Sequence, residues 1–236
     1  MSYARFTSPA HASARFVAQR LMLKPLVWSL TTATVHGTGN LDELDGPFIV
    51  VANHSSHLDA PLVTGALPRS KARYLAAAAA ADYFFDVKWR KALTALFFNA
   101  FAVDRTGAGG RAGTARQLLE LGVPLLIFPQ GGRSKTEEIS SFKPGAAALA
   151  IACDVPCVPT AIVGAATAMP RGKNWPVRGR QPVAIIFGSP LRAEPGETAN
   201  AFSVRLHAAV TSMHAAHELQ RKHSSTTTRS DTKEPR

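Results

Sequence analysis

Residues 47–61 read "PFIVVANHSSHLDAP", and the order of residue types in them sets the fold class. Pro47 to Ala52 is an unbroken apolar run with β-branched members, the pattern of a strand buried on both faces. Asp59-Ala60-Pro61 predicts a helix start, with an N-cap carboxylate and a proline in the first turn, running to about Leu67. Between them stand Asn53, two histidines and two serines. A buried strand, a polar loop and a helix form the repeating unit of α/β sheets, whose sites lie at the carboxyl ends of the strands.

The rest of the chain repeats the unit. Ala100–Val103, Val123–Phe128, Val155–Val163 and Pro182–Phe187 predict strands. Arg111–Leu121, Gly145–Cys153 and Thr198–Leu219 predict helices, as does a stretch around Trp89–Leu93 that closes near Phe98. "KARYLAAAAAA", Lys71–Ala81, is ambiguous, and propensity favours helix from Ala76 on. The alternation implies one α/β domain with a central mixed, largely buried β-sheet flanked by helices. We place that domain at residues 37–220, after an amphipathic helical arm (1–36) and before a disordered polar tail (221–236).

At 236 residues, with 46% hydrophobic and 18% charged residues, the chain has enough apolar material for one substantial core. Cys153 and Cys157 flank Pro156, which opposes the helix that would bring them together, so they read as small buried hydrophobes in a reducing compartment. A formal net charge of +11 favours a polyanionic partner. No acidic residue precedes Asp42, while Arg5, Arg15, Arg20 and Lys24 punctuate the arm. No window there reaches the roughly 18 uninterrupted apolar residues of a spanning helix. The mixture around Phe16–Trp28 fits a helix lying on an anionic membrane, bent or broken at Pro25. Packing on the domain and a targeting segment are the alternatives.

Three polar clusters follow predicted strands: "NHSSHLD" (Asn53–Asp59), "VDRTG" (Val103–Gly107) and "FPQGGRS" (Phe128–Ser134), the last followed by "FKPG" (Phe142–Gly145). On a regular helix His54 and Asp59 would lie about 140° apart. They meet only if His54 sits in the loop and Asp59 begins the helix. A carboxylate on one imidazole nitrogen fixes the tautomer and leaves the other nitrogen to accept a proton. His57 is too close to Asp59 for the same pairing. Gly131-Gly132 lets backbone amides approach a ligand, and Arg133, with Arg105 and Lys143, suits a phosphate or carboxylate. Neither glycine-rich loop is followed by G-K-S/T, no G-x-S-x-G elbow is present, and the histidines lack metal-ligand spacing. Basic residues are scattered without a nucleic-acid-binding motif, so nucleic acid is not an expected partner.

"NHSSHLD", "FAVDR" (Phe101–Arg105), "FPQGGRS" and "VPCVP" (Val155–Pro159) resemble, in order and spacing, the four blocks of the phospholipid/glycerol acyltransferases. "FKPGAAALA" (Phe142–Ala150) resembles their segment between the last two. The resemblance implies an acyl-CoA or acyl-carrier-protein thioester as donor and a lysophospholipid as acceptor, 1-acyl-sn-glycerol 3-phosphate foremost. It implies no further cofactor and no metal. His54 would be the base and Asp59 its orienter. Arg105, Gly131, Gly132, Arg133, Ser134 and Lys143 would hold the acceptor phosphate. Asn53, Gln130, Pro156 and Pro159 would support the site or set specificity, and the enzyme would sit at the cytoplasmic face of a membrane, peripheral or monotopic. The family usually has F-P-E-G-T-R-S in the third block; Gln130 and Gly132 depart from it. That departure motivates two alternatives: another lyso-lipid acceptor, or a catalytically weak lipid-binding adaptor on the same fold.

Overall fold

A computed structural model describes residues 3–80, 97–103, 112–134, 138–173 and 175–230. The strands are β1 (Thr32–His36), β2 (Ile49–Ala52), β3 (Ala76–Ala80), β4 (Phe101–Val103), β5 (Leu125–Ile127), β6 (Cys157–Val163) and β7 (Pro182–Phe187). They form one sheet in the order β1-β7-β6-β2-β5-β3-β4, with every pair parallel except β6–β7. The sheet is therefore mixed, as expected. Along β2, Ile49 and Val51 face one core while Val50 and Ala52 face the other, and all four are fully buried. This two-sided burial is why the strand has no polar alternation.

The described helices are α1 (Ala4–Thr7), α2 (Pro9–Ala18), α3 (Lys24–Leu30), α4 (Asp59–Ala66), α5 (Arg69–Ala72), α6 (Ala112–Glu120), α7 (Gly145–Cys153), α8 (Ala165–Ala168) and α9 (Ala199–Ser230). Leu62 and Val63 of α4 cover one face of the sheet. Leu118 of α6, Ala147 of α7 and the Phe202, Leu206, Val210 stripe of α9 cover the other. The stripe repeats every fourth residue, one face of a helix.

Several expectations change. Ala76–Ala80 is strand, not helix, pairing with β5 at Ala76 and Ala77 and with β4 from Ala78. Alanine's helix preference is worth well under 1 kcal/mol per residue, and two flanking ladders outweigh it. Thr32–His36, assigned to the arm, is the edge strand in register with Pro182–Ile186. Its exposure alternates, so it lacks the apolar run that marks a central strand. The closing helix continues to Ser230, past residue 221 where the tail was placed. The predicted helix around Trp89–Leu93 lies outside the described residues.

The arm is helical but is not broken at Pro25. A π-helical turn over Gln19–Leu23 precedes it, closed by the Lys24 amide donating to the Gln19 carbonyl. The wider turn gives room for the proline ring in the first turn of α3. Its arginines face the domain. Arg20 donates to the Gly65 and Leu67 carbonyls at 3.1 and 2.7 Å, satisfying the carboxyl end of α4. Arg5 donates to the Ala100 carbonyl and Arg15 to that of Arg73. Burial and the neighbouring Arg5 push Arg15 down to about 10. The outward face is apolar: Val17, Leu21, Met22 and Leu26 are exposed.

Candidate active site

The carboxyl ends of β2, β5 and β6 converge, and each delivers one part of the site. After β2, Asn53 turns inward. Its side chain donates to the Ile162 carbonyl at 2.9 Å and accepts from the Ile162 amide at 2.8 Å, clamping the ends of β2 and β6 together. That fixes where the chain leaves the sheet, and His54 is the next residue.

His54 lies in the loop and Asp59 is the first residue of α4, so the pairing condition is met. The His54 Nδ1–H donates to Asp59 Oδ2 at 2.7 Å. The same oxygen accepts from the Ser55 and Ser56 amides at 2.7 and 2.8 Å. Asp59 was expected to act as an N-cap. It instead reaches back to amides preceding its helix, because its side chain is held by the tight turn rather than by α4. Asp59 is fully buried, and its Oδ1 has no hydrogen-bond partner among the described residues. The imidazole stacks on Phe128, centroids 4.3 Å apart and planes 21° apart. With Nδ1 engaged as a donor, Nε2 is the nitrogen left to accept a proton.

The loop after β5 is tied to the His54 loop. The His54 amide donates to Gln130 Oε1 at 2.6 Å, and the Ser134 amide donates to the His54 carbonyl at 2.8 Å. Gln130 Nε2 donates to the hydroxyls of Ser134 and Ser140 at 2.7 and 2.9 Å. Both hydrogens and the oxygen of this amide are therefore used as a brace. We expect Gln130→Ala to lose about 1–2 kcal/mol of stability, seen by denaturant melts, because the His54 amide loses its acceptor. Gln130→Glu should stay within about 1 kcal/mol of the parent, since a carboxylate accepts the same amide and both serines can turn to donate.

Gly131 has φ +74°, and a Cβ there would stand 3.0 Å from Lys143 Cε and Nζ. Its absence lets the Lys143 side chain lie over the loop, while the Lys143 amide is fixed to the Pro129 carbonyl at 2.9 Å. Arg133 stands close enough to His57 to help lower that residue's pKa, and its carbonyl accepts from Arg171. Gly132 is exposed, with open space around its α-carbon. Thus Arg133, Lys143, Gly131, Gly132 and Ser134 fall in one loop cluster beside His54. Arg105 lies outside the described residues.

Pro156 and Pro159 do not join them. Pro156 precedes β6 at the opposite edge of the sheet, its carbonyl accepting from the Ile49 amide. In register with Phe48, it lies about 20 Å from the His54 end of the sheet at about 3.3 Å per strand residue. Pro159 is a mid-strand residue paired with Val51, and its carbonyl accepts from Gly188. Its missing N–H faces the side where β7 has ended, which is how a central strand tolerates it. Neither proline is among the described residues that line the cleft beside His54. Cys157 is likewise buried, its thiol pushed up to about 12, so it is not a nucleophile at neutral pH.

Sequence reasoning did not find the far wall. A small open cleft is lined by His54, Ser55, Ser134, Thr167 and, from α9, His214 and Glu218. Gly164 permits this closure at the end of β6: with φ +82°, it sits where a Cβ would be 2.4 Å from the Pro182 carbonyl oxygen. Only the motif-less closing helix carries these two residues, so no local signal marked them.

Burial, Arg133 and His54 hold the pKa of His57 below its ordinary value, and burial with His36 does the same for His217. The folded state thus binds fewer protons than the unfolded chain, so this contribution to stability is present above pH 6.5 and is lost as pH falls below it. Melting temperature should drop between pH 7.5 and 5.5, and a His57→Asn, His217→Asn variant should show a shallower drop.

A mixed α/β sheet with a carboxylate-oriented histidine and a cationic glycine loop at one edge has the parts of a general-base transferase acting on an anionic substrate. The acyltransferase family model matches residues 32–163, from β1 to the end of β6, and the chain belongs to this family, the phospholipid/glycerol acyltransferases. A 1-acyl-sn-glycerol-3-phosphate acyltransferase of Chlamydomonas reinhardtii is 30% identical over 155 residues, 65% of this chain and 45% of that protein. A probable 1-acyl-sn-glycerol-3-phosphate acyltransferase of Mycoplasma genitalium is 32% identical over 140 residues, 56% of this chain and 50% of that one. The chain spans about half the length of these curated relatives. The crystal structure of the 1-acyl-sn-glycerophosphate acyltransferase PlsC from Thermotoga maritima superposes with a TM-score of 0.67 at 23% identity, covering 91% of this chain and 86% of that one. That likeness shows the fold.

Proposed function

We propose that this chain is a membrane-peripheral O-acyltransferase moving a fatty acyl group from a thioester to the free hydroxyl of a lysophospholipid, with 1-acyl-sn-glycerol 3-phosphate as preferred acceptor and phosphatidate as product. The single observation that carries the reading is the His54–Asp59 pair set beside the Arg133–Lys143 loop. His54 Nε2 takes the proton of the acceptor hydroxyl as its oxygen attacks the thioester carbonyl. The C–S bond breaks, and the proton passes from the imidazolium to the departing thiolate. Asp59 stabilises the imidazolium in between. Arg133 and Lys143, with the Gly131 and Gly132 amides, hold the acceptor phosphate. No acyl-enzyme and no metal is required by this scheme.

No helix among the described residues is long and apolar enough to cross a membrane. The exposed Val17, Leu21, Met22, Leu26 face supports attachment from one side, which we place on the cytoplasmic face where thioester donors are made. Of the two departures that motivate the adaptor alternative, Gln130 braces the His54 loop, which favours the enzyme reading.

The test offers purified protein an acyl-CoA or an acyl-carrier protein with lysophosphatidate, lysophosphatidylethanolamine, lysophosphatidylcholine or glycerol 3-phosphate, and follows products by mass spectrometry. Phosphatidate from lysophosphatidate is the expected result. A folded protein that acylates none of the four would overturn the reading, and preference for another acceptor would overturn its substrate.

A further inference from the structure

An arm that lies on a membrane ordinarily combines buried apolar surface with attraction between cations and anionic headgroups. Here the two are separated. Arg5, Arg15 and Arg20 are turned onto backbone carbonyls of the domain, and Lys24 lies over the Trp28 ring at 4.9 Å. The arm's exposed large apolar side chains are Val17, Leu21, Met22 and Leu26, and no arginine or lysine of the arm is exposed beside them. Charge for an anionic surface has to come from a neighbouring element.

The loop from Pro170 to Gln181, "PRGKNWPVRGRQ", joins α8 to β7. No Asp or Glu occurs between Asp154 and Glu194, yet this loop alone carries Arg171, Lys173, Arg178 and Arg180, all exposed. Trp175 stands among them 63% exposed. The Val177 amide is anchored to the Ala168 carbonyl at 2.8 Å, so the loop has a fixed base with Trp175 projecting from it. Arg180 holds φ +45°, an uncommon conformation for a residue with a side chain. Its guanidinium donates to the Trp28 carbonyl at 3.2 Å and the Thr31 carbonyl at 3.4 Å. The loop is thereby joined to the end of α3, two residues from exposed Leu26. Arg171 ties the other end to the Arg133 carbonyl of the phosphate-binding cluster.

We infer that the Arg171–Arg180 loop is a second membrane-docking element, seating Lys173 and Arg178 on anionic phospholipid headgroups and Trp175 in the interface, beside the apolar stripe of the arm, while Arg171 and Arg180 hold the loop to the domain. The inference rests on the peripheral-membrane part of the proposed function. It divides attachment into an apolar half on the arm and an electrostatic half on the loop. Indole prefers the headgroup level, where its ring is dehydrated and its N–H stays near water.

The test is flotation of the full chain with vesicles of phosphatidylcholine alone, or of phosphatidylcholine with phosphatidylglycerol. A lysine or arginine near an anionic surface contributes about fivefold to partitioning, so Lys173→Gln with Arg178→Gln should weaken binding to anionic vesicles about 25-fold and leave binding to neutral vesicles unchanged. Trp175→Ala should weaken both. Acylation of a short-chain, water-soluble lysophosphatidate should stay at the parent level in every variant, which reports on the fold and on catalysis apart from docking. Unchanged partitioning in both loop variants would overturn the inference. So would a variant that binds vesicles normally but has a raised KM for an acyl-carrier-protein donor and not for acyl-CoA, which would make the loop a carrier-protein site. If the parent acylates nothing but its partitioning follows the loop charges, the catalytic reading fails and the docking surface stands.

Discussion

Replacing His54 with alanine should lower acyl transfer on the order of 10²–10⁴-fold, the usual contribution of a positioned general base. The fold should survive. Removing the imidazole takes one hydrogen bond from Asp59 Oδ2, yet that oxygen keeps the Ser55 and Ser56 amides at 2.7 and 2.8 Å. The buried carboxylate therefore remains solvated by two backbone N–H groups, and the loss of the Phe128 stack adds a modest packing penalty. A stability cost of about 1–2 kcal/mol follows from one charge-assisted hydrogen bond and one ring contact. The cationic cluster is untouched, so the kinetic signature should be a fall in kcat with little change in acceptor KM. Steady-state assays beside a thermal melt read both quantities. Full transfer by His54→Ala would remove the mechanism, whatever the family.

The parts of this site that were legible in the sequence are those in which composition and position coincide. The β2 run announces itself because a strand buried on both faces cannot carry polar alternation, and "NHSSHLD" follows it directly. The Gly131-Gly132-Arg133 loop is legible for the same reason after β5. What was not legible depended on partners distant in the chain. Ala76–Ala80 has the composition of a helix and becomes a strand only because β5 and β4 flank it. Thr32–His36 alternates in exposure as an edge strand does, and no apolar run separates it from the arm. His214 and Glu218 stand on a helix whose pattern reports only its packing stripe.

Two residues changed meaning once placed. Gln130 departs from the family block, a departure that in the sequence points to another acceptor or to an adaptor. In the structure its amide joins the backbone of His54 to Ser134 and Ser140, so its first effect is on where the base sits. The arm's arginines were similarly legible as charge but not as direction. An arginine near the carboxyl end of a helix has carbonyls to satisfy, and α4 claims Arg20 before any headgroup can. Net charge counts cations without saying which are already engaged.

Asp59→Ala should be more damaging than His54→Ala, because it strikes stability and chemistry together. Three donors converge on Asp59 Oδ2: the His54 ring and the Ser55 and Ser56 amides. Alanine leaves all three without that acceptor, in a turn where Ser56 is fully buried. Each orphaned buried donor costs about 1–3 kcal/mol, so we expect a loss of roughly 3–5 kcal/mol, allowing for relaxation of the more exposed His54. Transfer should fall at least as far as in His54→Ala, since the imidazole loses both its tautomer lock and the charge that stabilises its protonated form. Asp59→Asn separates the two effects. Two backbone amides point at the Oδ2 position, so the side-chain oxygen must occupy it and the NH₂ must take the place of Oδ1, already without a partner among the described residues. The tautomer is then kept while the negative charge is lost. Asp59→Asn should therefore retain more activity than Asp59→Ala, with the remaining rate deficit measuring the value of the charge alone. The reverse order, with asparagine as inactive as alanine in a protein that melts normally, would mean that the amide has flipped and that the Ser55 and Ser56 amides do not dictate its orientation.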